Sequence, residues 1–438
     1  MRHIAASVLA GLFAAQLASA QGSIPGATQV SPATASSVAS DQELAPSGLT
    51  LEGTIELFLK RNASLEAARL EVDAVAADRI AAGLRPRPGL TTSIENAPVG
   101  GNADFSQIYE LTVSVAQPIE LGNRLGRRRE VAERTVAVAE ARLAETLRRR
   151  LSDVKRTYFE AVVARLLTGI ERENLEHFTE LVRYNTVRLE EGQIAEGDLI
   201  KVRLERMRYD SAVAIAELAY RQAKIRILEQ VGETGFEVAS TLEVNGDLKV
   251  GAESLDLGAL RSAALANHPS VRVGEAELSL ADSRIALERS IAKGEITPFA
   301  GYRRVGPVNT VVAGITLPLP FGDRNQGGIV RAEAERRVAE SMLKAVRARA
   351  VMDVEVAFRA YETARAQVLS YEGEILRRAD ESRDIQLAAY REGVTPLLAV
   401  TEAQRTRADV LGAYTRSLFE YQMSLVALEL ATGTEIPR

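Results

Sequence analysis

The sequence predicts a mainly α-helical fold with a small β part, assembled as a tandem repeat of long helical hairpins. The same punctuation recurs about two hundred residues apart. Long proline-free stretches carry apolar residues at threes and fours, and two short runs alternate apolar with polar residues.

The repeat sets the organisation. Pro118, Gly122, Asn123 and Arg124 correspond to Pro318, Gly322, Asp323 and Arg324. Leu49 to Leu65 matches Leu255 to Val271, with Asn62-Ala63-Ser64 over His268-Pro269-Ser270, and Glu191-Gly192 lies over Glu392-Gly393. Each half reads helix, two strands, very long helix, turn, helix. The chain thus divides into a first repeat over 49–232, a link over 233–256 and a second repeat over 257–433.

Ahead of the repeats, Arg2, an apolar run from Ile4 to Leu17 and the ending Ala18-Ser19-Ala20 form the pattern of a secretory signal peptide over 1–20. Residues 21–48, rich in Ser, Ala, Thr and Pro, read as a flexible leader. No later stretch approaches eighteen uninterrupted apolar residues, so no transmembrane helix is expected. The chain has no Cys, and Gln21 follows the expected cleavage site; neither disulfides nor a lipidated Cys is available, and anchoring must come from folded structure.

Composition narrows the function. Lys and Arg number 54 against 59 Asp and Glu, and removing Arg2 takes the formal charge from −5 to −6. Charges of mixed sign without basic blocks argue against nucleic acid as a partner. After signal removal only His177 and His268 remain among histidines. With no Cys, no phosphate-binding Walker loop and no GxSxG elbow, the sequence offers neither catalytic machinery nor a metal-ligand cluster. Carboxylate pairs such as Glu190-Glu191 lie on polar helix faces and read as solvated. No cofactor is expected.

In the first strand pair, Tyr109, Leu111, Val113 and Val115 alternate with Glu110, Thr112 and Ser114; in the second, Val311, Ala313, Ile315 and Leu317 alternate with Val312, Gly314 and Thr316. Preceding segments at Leu90 to Glu95 and Thr297 to Arg303 give four strands per chain, with links at Pro98 to Asn102 and Gly306 to Asn309. These are either surface hairpins or part of an outer-membrane barrel, and export favours the barrel. Because bacterial barrels begin at about eight strands, several copies must pool theirs, and three copies give about twelve.

From Arg124 to about Glu190 there is no proline, and Leu143, Leu147, Leu151, Val154, Tyr158 and Val162 make a packing seam. Leu343, Val346, Ala350, Val354, Ala357 and Tyr361 repeat it. Such a helix is roughly 100 Å long. Asp198 to Val231 with Leu257 to Lys293, and Leu397 to Thr432 with Leu51 to Gly83, sum to similar lengths, so each pair is expected to stack end to end into a broken strut. The link over 233–256 reads as a belt at mid-length.

Two stretches resemble a known family. Ser93-Ile94-Glu95-Asn96 with Glu110 through Gly122, and Leu317-Pro318-Leu319-Pro320-Phe321-Gly322-Asp323-Arg324-Asn325-Gln326-Gly327, are similar to TolC-type outer-membrane efflux proteins, in particular the cobalt-zinc-cadmium type heavy-metal branch. The resemblance implies a homotrimer with a twelve-strand outer-membrane β-barrel and a twelve-helix periplasmic α-barrel. It also implies a closed tip, opened by a periplasmic adaptor bound to an inner-membrane RND transporter. It is compatible with drugs or secreted protein as cargo; a soluble periplasmic coiled-coil adaptor or scaffold is the competing class.

The resemblance also nominates residues. Gly192 and Gly393 occupy the two hairpin turns that an adaptor would contact, although each also reads as a simple helix C-cap. Asp198 and Tyr390 match two gate residues, while Thr395 replaces the Arg that often completes the gate link. Of two carboxylate-ring positions, one is Ala399 and the other keeps Glu402, whose three copies would favour cations. At the barrel–tunnel junction, Pro118 and Pro318 end strands beside Gly122 and Gly322. Arg127, Arg128 and Arg129, in the first turns of a helix, are either solvated or turned toward anionic lipid.

Overall fold

A computed structural model describes residues 48–97, 101, 104–233, 236–251, 255–319 and 321–436. The expected signal peptide, the leader except Gly48, positions 98–100 and 102 of the first strand link, residues 234–235 and 252–254 of the middle link, and Pro320 lie outside them.

The first repeat comprises α1 (Leu51–Arg61), α2 (Ala63–Ala82), β1 (Gly89–Glu95), a single helical turn α3 (Phe105–Ile108), β2 (Glu110–Ala116), β3 (Ile119–Glu120), α4 (Arg124–Glu190) and α5 (Glu196–Val231). A short α6 (Phe236–Thr241) lies in the link. The second repeat follows with α7 (Leu257–Asn267), α8 (Pro269–Ile291), β4 (Glu295–Val305), β5 (Val308–Thr316), α9 (Gln326–Ser370), a π-helical turn (Tyr371–Ile375), α10 (Leu376–Arg391) and α11 (Leu397–Thr432). The 67-residue α4 has the limits the sequence predicts. The helices predicted over 51–83 and 257–293 are each broken at the repeat-equivalent positions Asn62 and His268. There Asn62 Oδ1 accepts from the Leu65 amide at 2.9 Å, and His268 Nδ1 accepts from the Ser270 amide at 3.2 Å.

The struts stack differently from the expectation. The last turn of α5 meets the start of α2: Asn62 Nδ2 donates to the Gln230 carbonyl at 2.8 Å, and a Cβ on Gly232 would lie 2.8 Å from the Arg61 carbonyl oxygen. Likewise, a Cβ on Gly433, after α11, would run into the Asn267 carbonyl oxygen at the α7–α8 break. Each repeat therefore completes its own broken strut, and in the first a helix-terminal carbonyl, that of Gln230, finds its donor at the adjacent break.

The repeat is also out of phase in places. Val154, Thr157, Tyr158 and Thr168 are buried, and so are Val354, Ala357, Phe358 and Val368, two hundred residues on. Past that point the buried Phe178 corresponds to Ala379, and Gly192 to Gly393, at an offset of 201. The extra residue is absorbed in the π turn, where the Leu376 amide reaches back to the Tyr371 carbonyl. At the helix start the left-handed residues are Asn123 and Asn325, so Asn325, not Asp323, is the counterpart of Asn123.

All strand pairs are antiparallel, in the order β1-β2-β4-β5, and β3 continues β2 along β4. Register and pleat put Leu90, Val115, Ala300 and Ala313 in one row, and Thr92, Val113, Tyr302 and Val311 in the next, on one face. The opposite face carries rows of Thr91, Ser114, Gly301 and Val312, and of Ser93, Thr112, Arg303 and Thr310. The apolar face is uncovered: Val311 is 84% exposed and Leu90 70%. The middle link crosses the long helices, with Arg165 Nη2 donating to the Gly246 carbonyl at 2.6 Å and Gln422 Nε2 to that of Lys249 at 2.8 Å.

Candidate functional site

The two hairpin ends are built identically. In the first, the Gly192 amide donates to the Leu189 carbonyl at 2.9 Å and the Gln193 amide to that of Arg188 at 2.8 Å; in the second, Gly393 donates to Tyr390 at 3.0 Å and Val394 to Ala389 at 2.8 Å. Both are Schellman closures. Gly192 has φ +74° and Gly393 +77°, and a Cβ on either would meet nothing within 4 Å. The left-handed backbone demands the glycines, and their turns stand open to solvent.

Behind the turns, Phe178, Leu181, Val202, Tyr209, Tyr390, Leu397 and Val400 form an apolar cluster. Tyr390 is buried; its hydroxyl donates to Asn185 Oδ1, whose Nδ2 donates to the Leu181 carbonyl at 2.8 Å. The Arg188 guanidinium sits 5.4 Å from the Tyr390 ring and 5.6 Å from that of Tyr184. Burial, more than any neighbour, pushes the Tyr390 hydroxyl up from its ordinary pKa. Asp198, in the first turn of α5, pairs with Lys201 at 3.1 Å. Among the described residues the two sequence-nominated gate positions are not hydrogen-bonded to each other. Thr395 Oγ1 reaches the Gln386 carbonyl at 3.5 Å, and Glu402, largely exposed, lies 3.4 Å from Arg405.

Three ion pairs that the sequence did not nominate join the helices here. Arg405 of α11 pairs with Glu205 of α5. Arg407, two residues further and almost buried, pairs with Asp380 of α10 at 2.6 Å and Glu173 of α4 at 3.1 Å. Alternating charges on long helices look solvated until the neighbouring helix is known; only buried Arg stems would have marked them. Between α4 and α10 a cavity of about 510 Å³ is lined by His177, Arg183, Tyr184, Arg383, Leu387 and Tyr390, among others.

At the other end, the register runs unbroken through Pro118. Ala116 pairs with Phe299 and Ile119 with Ile296, so Pro118 falls opposite Thr297. The Gln117 amide donates to the Pro298 carbonyl at 3.0 Å and the Leu121 amide to that of Gly294 at 3.2 Å, so the nitrogen of Pro118 faces away from β4 and the proline costs that ladder no bond. Gly122, at φ +69°, lies where a Cβ would meet the Lys293 side chain at 2.5 Å, whereas Gly322, at φ +94°, has open space. Pro318 follows β5 and packs near Gly294. Arg128 and Arg129 are not free cations: Arg128 pairs with Glu120 and donates to the Leu84 carbonyl at 3.0 Å, and Arg129 donates to that of Gly83 at 3.2 Å. They cap the C-terminus of α2, where its dipole favours positive charge. Arg127 pairs with Glu130 at 2.7 Å.

Among the described residues there is no helix long and apolar enough to cross a membrane and no group of three or more metal-ligating side chains.

A family model described as outer membrane efflux protein matches residues 54–233 and 260–434. The chain is 26% identical over 360 residues to the cobalt-zinc-cadmium resistance protein CzcC of Cupriavidus metallidurans, covering 82% of this chain and 84% of that one. Its fold is similar to that of CusC, solved in a study of folding and transmembrane channel formation, with TM-score 0.72 at 18% identity and 88% and 92% of the chains covered. It is similar also to the outer membrane protein VceC of Vibrio cholerae, with TM-score 0.71 at 17% identity and 88% and 96% covered.

Proposed function

We propose that this chain, a member of the outer membrane efflux protein family, is the passive exit duct of a tripartite pump that exports heavy-metal cations. The observation that carries the reading is the uncovered apolar sheet face at one end of helical struts roughly 100 Å long. In water such a face would aggregate; against lipid, with the polar face turned inward, it has the alternation of an outer-membrane barrel.

Within the described chain the sheet keeps two unpaired edges and does not close. Three copies give twelve strands, and exposed apolar positions on α5 (Ile200, Leu204, Met207) and α9 (Val338, Met342, Val356) supply helix faces for self-association below the barrel. The anchor in this reading is the barrel alone, without lipidation. The open turns at Gly192 and Gly393, with the groove between α4 and α10, are the surface for a periplasmic adaptor, through which an inner-membrane RND transporter supplies the energy. Fold and family are those of channel proteins, and the duct conducts without catalysis or cofactor. Heavy-metal cargo rests on the relative's description as a cobalt-zinc-cadmium resistance protein and on the Leu317–Gly327 stretch.

The test is growth of a strain lacking the protein across graded zinc, cobalt, cadmium, nickel, copper and silver, with antibiotics and detergents alongside. Sensitivity confined to metals supports the reading and names the cargo. Sensitivity to organic compounds alone replaces it with a general drug or protein duct, and a protein that washes from membranes with alkali is a scaffold.

A further inference from the structure

We propose that Leu317, Leu319 and Phe321 of one copy seat against Ile80, Leu84 and Leu90 of the next, forming an apolar collar that locks copies together where sheet meets helices. The inference rests on the reading of several copies closing one barrel, and adds which segments make the joint.

The two groups flank the two free edges of the sheet. Leu317 directly follows β5, which ends at Thr316, and Leu90 is the second residue of β1, entered from α2 through Ile80 and Leu84. All six are exposed within one chain, Phe321 at 83% and Ile80 at 72%. They do not meet in one protomer, because β2 and β4 lie between the edges. Since each strand is antiparallel to its neighbour, β1 and β5 run in opposite directions. Pairing β5 of one copy with β1 of another is therefore antiparallel, and sets the chain leaving β5 beside the chain entering β1. The Phe321 amide bonds back to the Leu319 carbonyl at 2.8 Å, and Gln326 Nε2 holds the Gly322 carbonyl at 2.7 Å, so the segment is folded back at the helix end and does not run on as strand. Apolar side chains on a short, tethered segment next to an unpaired edge suit a protein surface of the same height.

The chain lacks cysteine, so pairs are introduced cleanly in the full-length protein in outer-membrane vesicles: Phe321→Cys with Leu84→Cys, or with Ile80→Cys. Oxidation is expected to give a ladder of covalent dimer and trimer on non-reducing gels, and Phe321→Asp without cysteines to lower the oligomer fraction in detergent several-fold. Light scattering of the purified protein fixes the oligomeric state independently. An intact oligomer without cross-links at either pair, in which a fluorophore attached to the thiol of the single Phe321→Cys variant is quenched by brominated lipid, overturns the collar and leaves the barrel reading standing. A monomer by scattering sinks both.

Discussion

The Tyr390 hydroxyl donates to the Asn185 carboxamide oxygen, tying the end of α10 to α4 between residues 205 positions apart. Both side chains are buried, so Tyr390→Phe strands the Asn185 oxygen. It is expected to cost about 1–3 kcal/mol, and a double-mutant cycle with Asn185→Leu should show coupling of at least about 0.5 kcal/mol. Additive effects would show that the bond does not hold the hairpin ends.

Arg405 and Arg407 are the cross-helix ties near the same end. The partners of Arg407, Asp380 and Glu173, are about half exposed, which limits each of its ties to about 1 kcal/mol. The combined Arg405→Ala and Arg407→Ala variant is expected to fold and to show larger single-channel conductance in planar bilayers. Unchanged conductance would place the constriction elsewhere.

Glu402 lies on the exposed face of α11, with Arg405 its only ion-pair partner in the described chain. In a symmetric assembly Glu402→Gln removes one negative charge per copy, and reversal potentials in asymmetric salt should show reduced cation preference. No change would assign Glu402 to an ordinary solvated surface.

His268 caps α8 through an unprotonated Nδ1, and burial lowers its pKa from 6.5, against the opposing pull of Asp353 and Glu145. Because the folded value lies below the unfolded one, the unfolded chain binds the extra proton first. Stability is therefore complete above pH 6.5 and falls as pH drops toward the folded value. Melting curves between pH 7.5 and about 5 should show this fall, and His268→Asn, which copies the Asn62 cap of the first repeat, should flatten it. An equally steep fall in the variant would assign the effect to other groups.

The π turn converts an offset of 200 into 201. Deleting Gly373 is expected to convert the turn to regular α-helix with the phase of α10 kept, as in the uninterrupted α4, so that Tyr390 still reaches Asn185 and the second hairpin end resists limited proteolysis near Arg391. Cleavage near Arg391 would mean that the π turn itself sets the direction of α10. Tyr414, whose hydroxyl donates to Glu372 at 2.8 Å and is pushed up to about 12 mainly by burial, holds the turn against α11.

How far the candidate site was legible follows from how local each signal is. Gly192 and Gly393 are readable because positive φ is a requirement of the residue itself. The Tyr390 partner was not: position marks Tyr390 as a gate residue without saying what it bonds to, and the chain offers Asn185, on α4 with the cation–π partner Arg188. Arg128 and Arg129 looked like free basic groups because the end of α2, whose carbonyls they cap, is distant in sequence.

The sequence alone determined the duplication, the limits of α4 and α11, and the apolar and polar faces of the strands, because helical periodicity, strand alternation and glycine φ are set within a few residues. The tertiary structure decided which half-helices stack, where α2 and α8 begin, how the extra residue is absorbed and which charges pair. Those outcomes depend on which orphan carbonyls and buried side chains meet across long stretches of chain, as the Asn62 carboxamide meets the Gln230 carbonyl 168 residues away, and no local pattern encodes the choice.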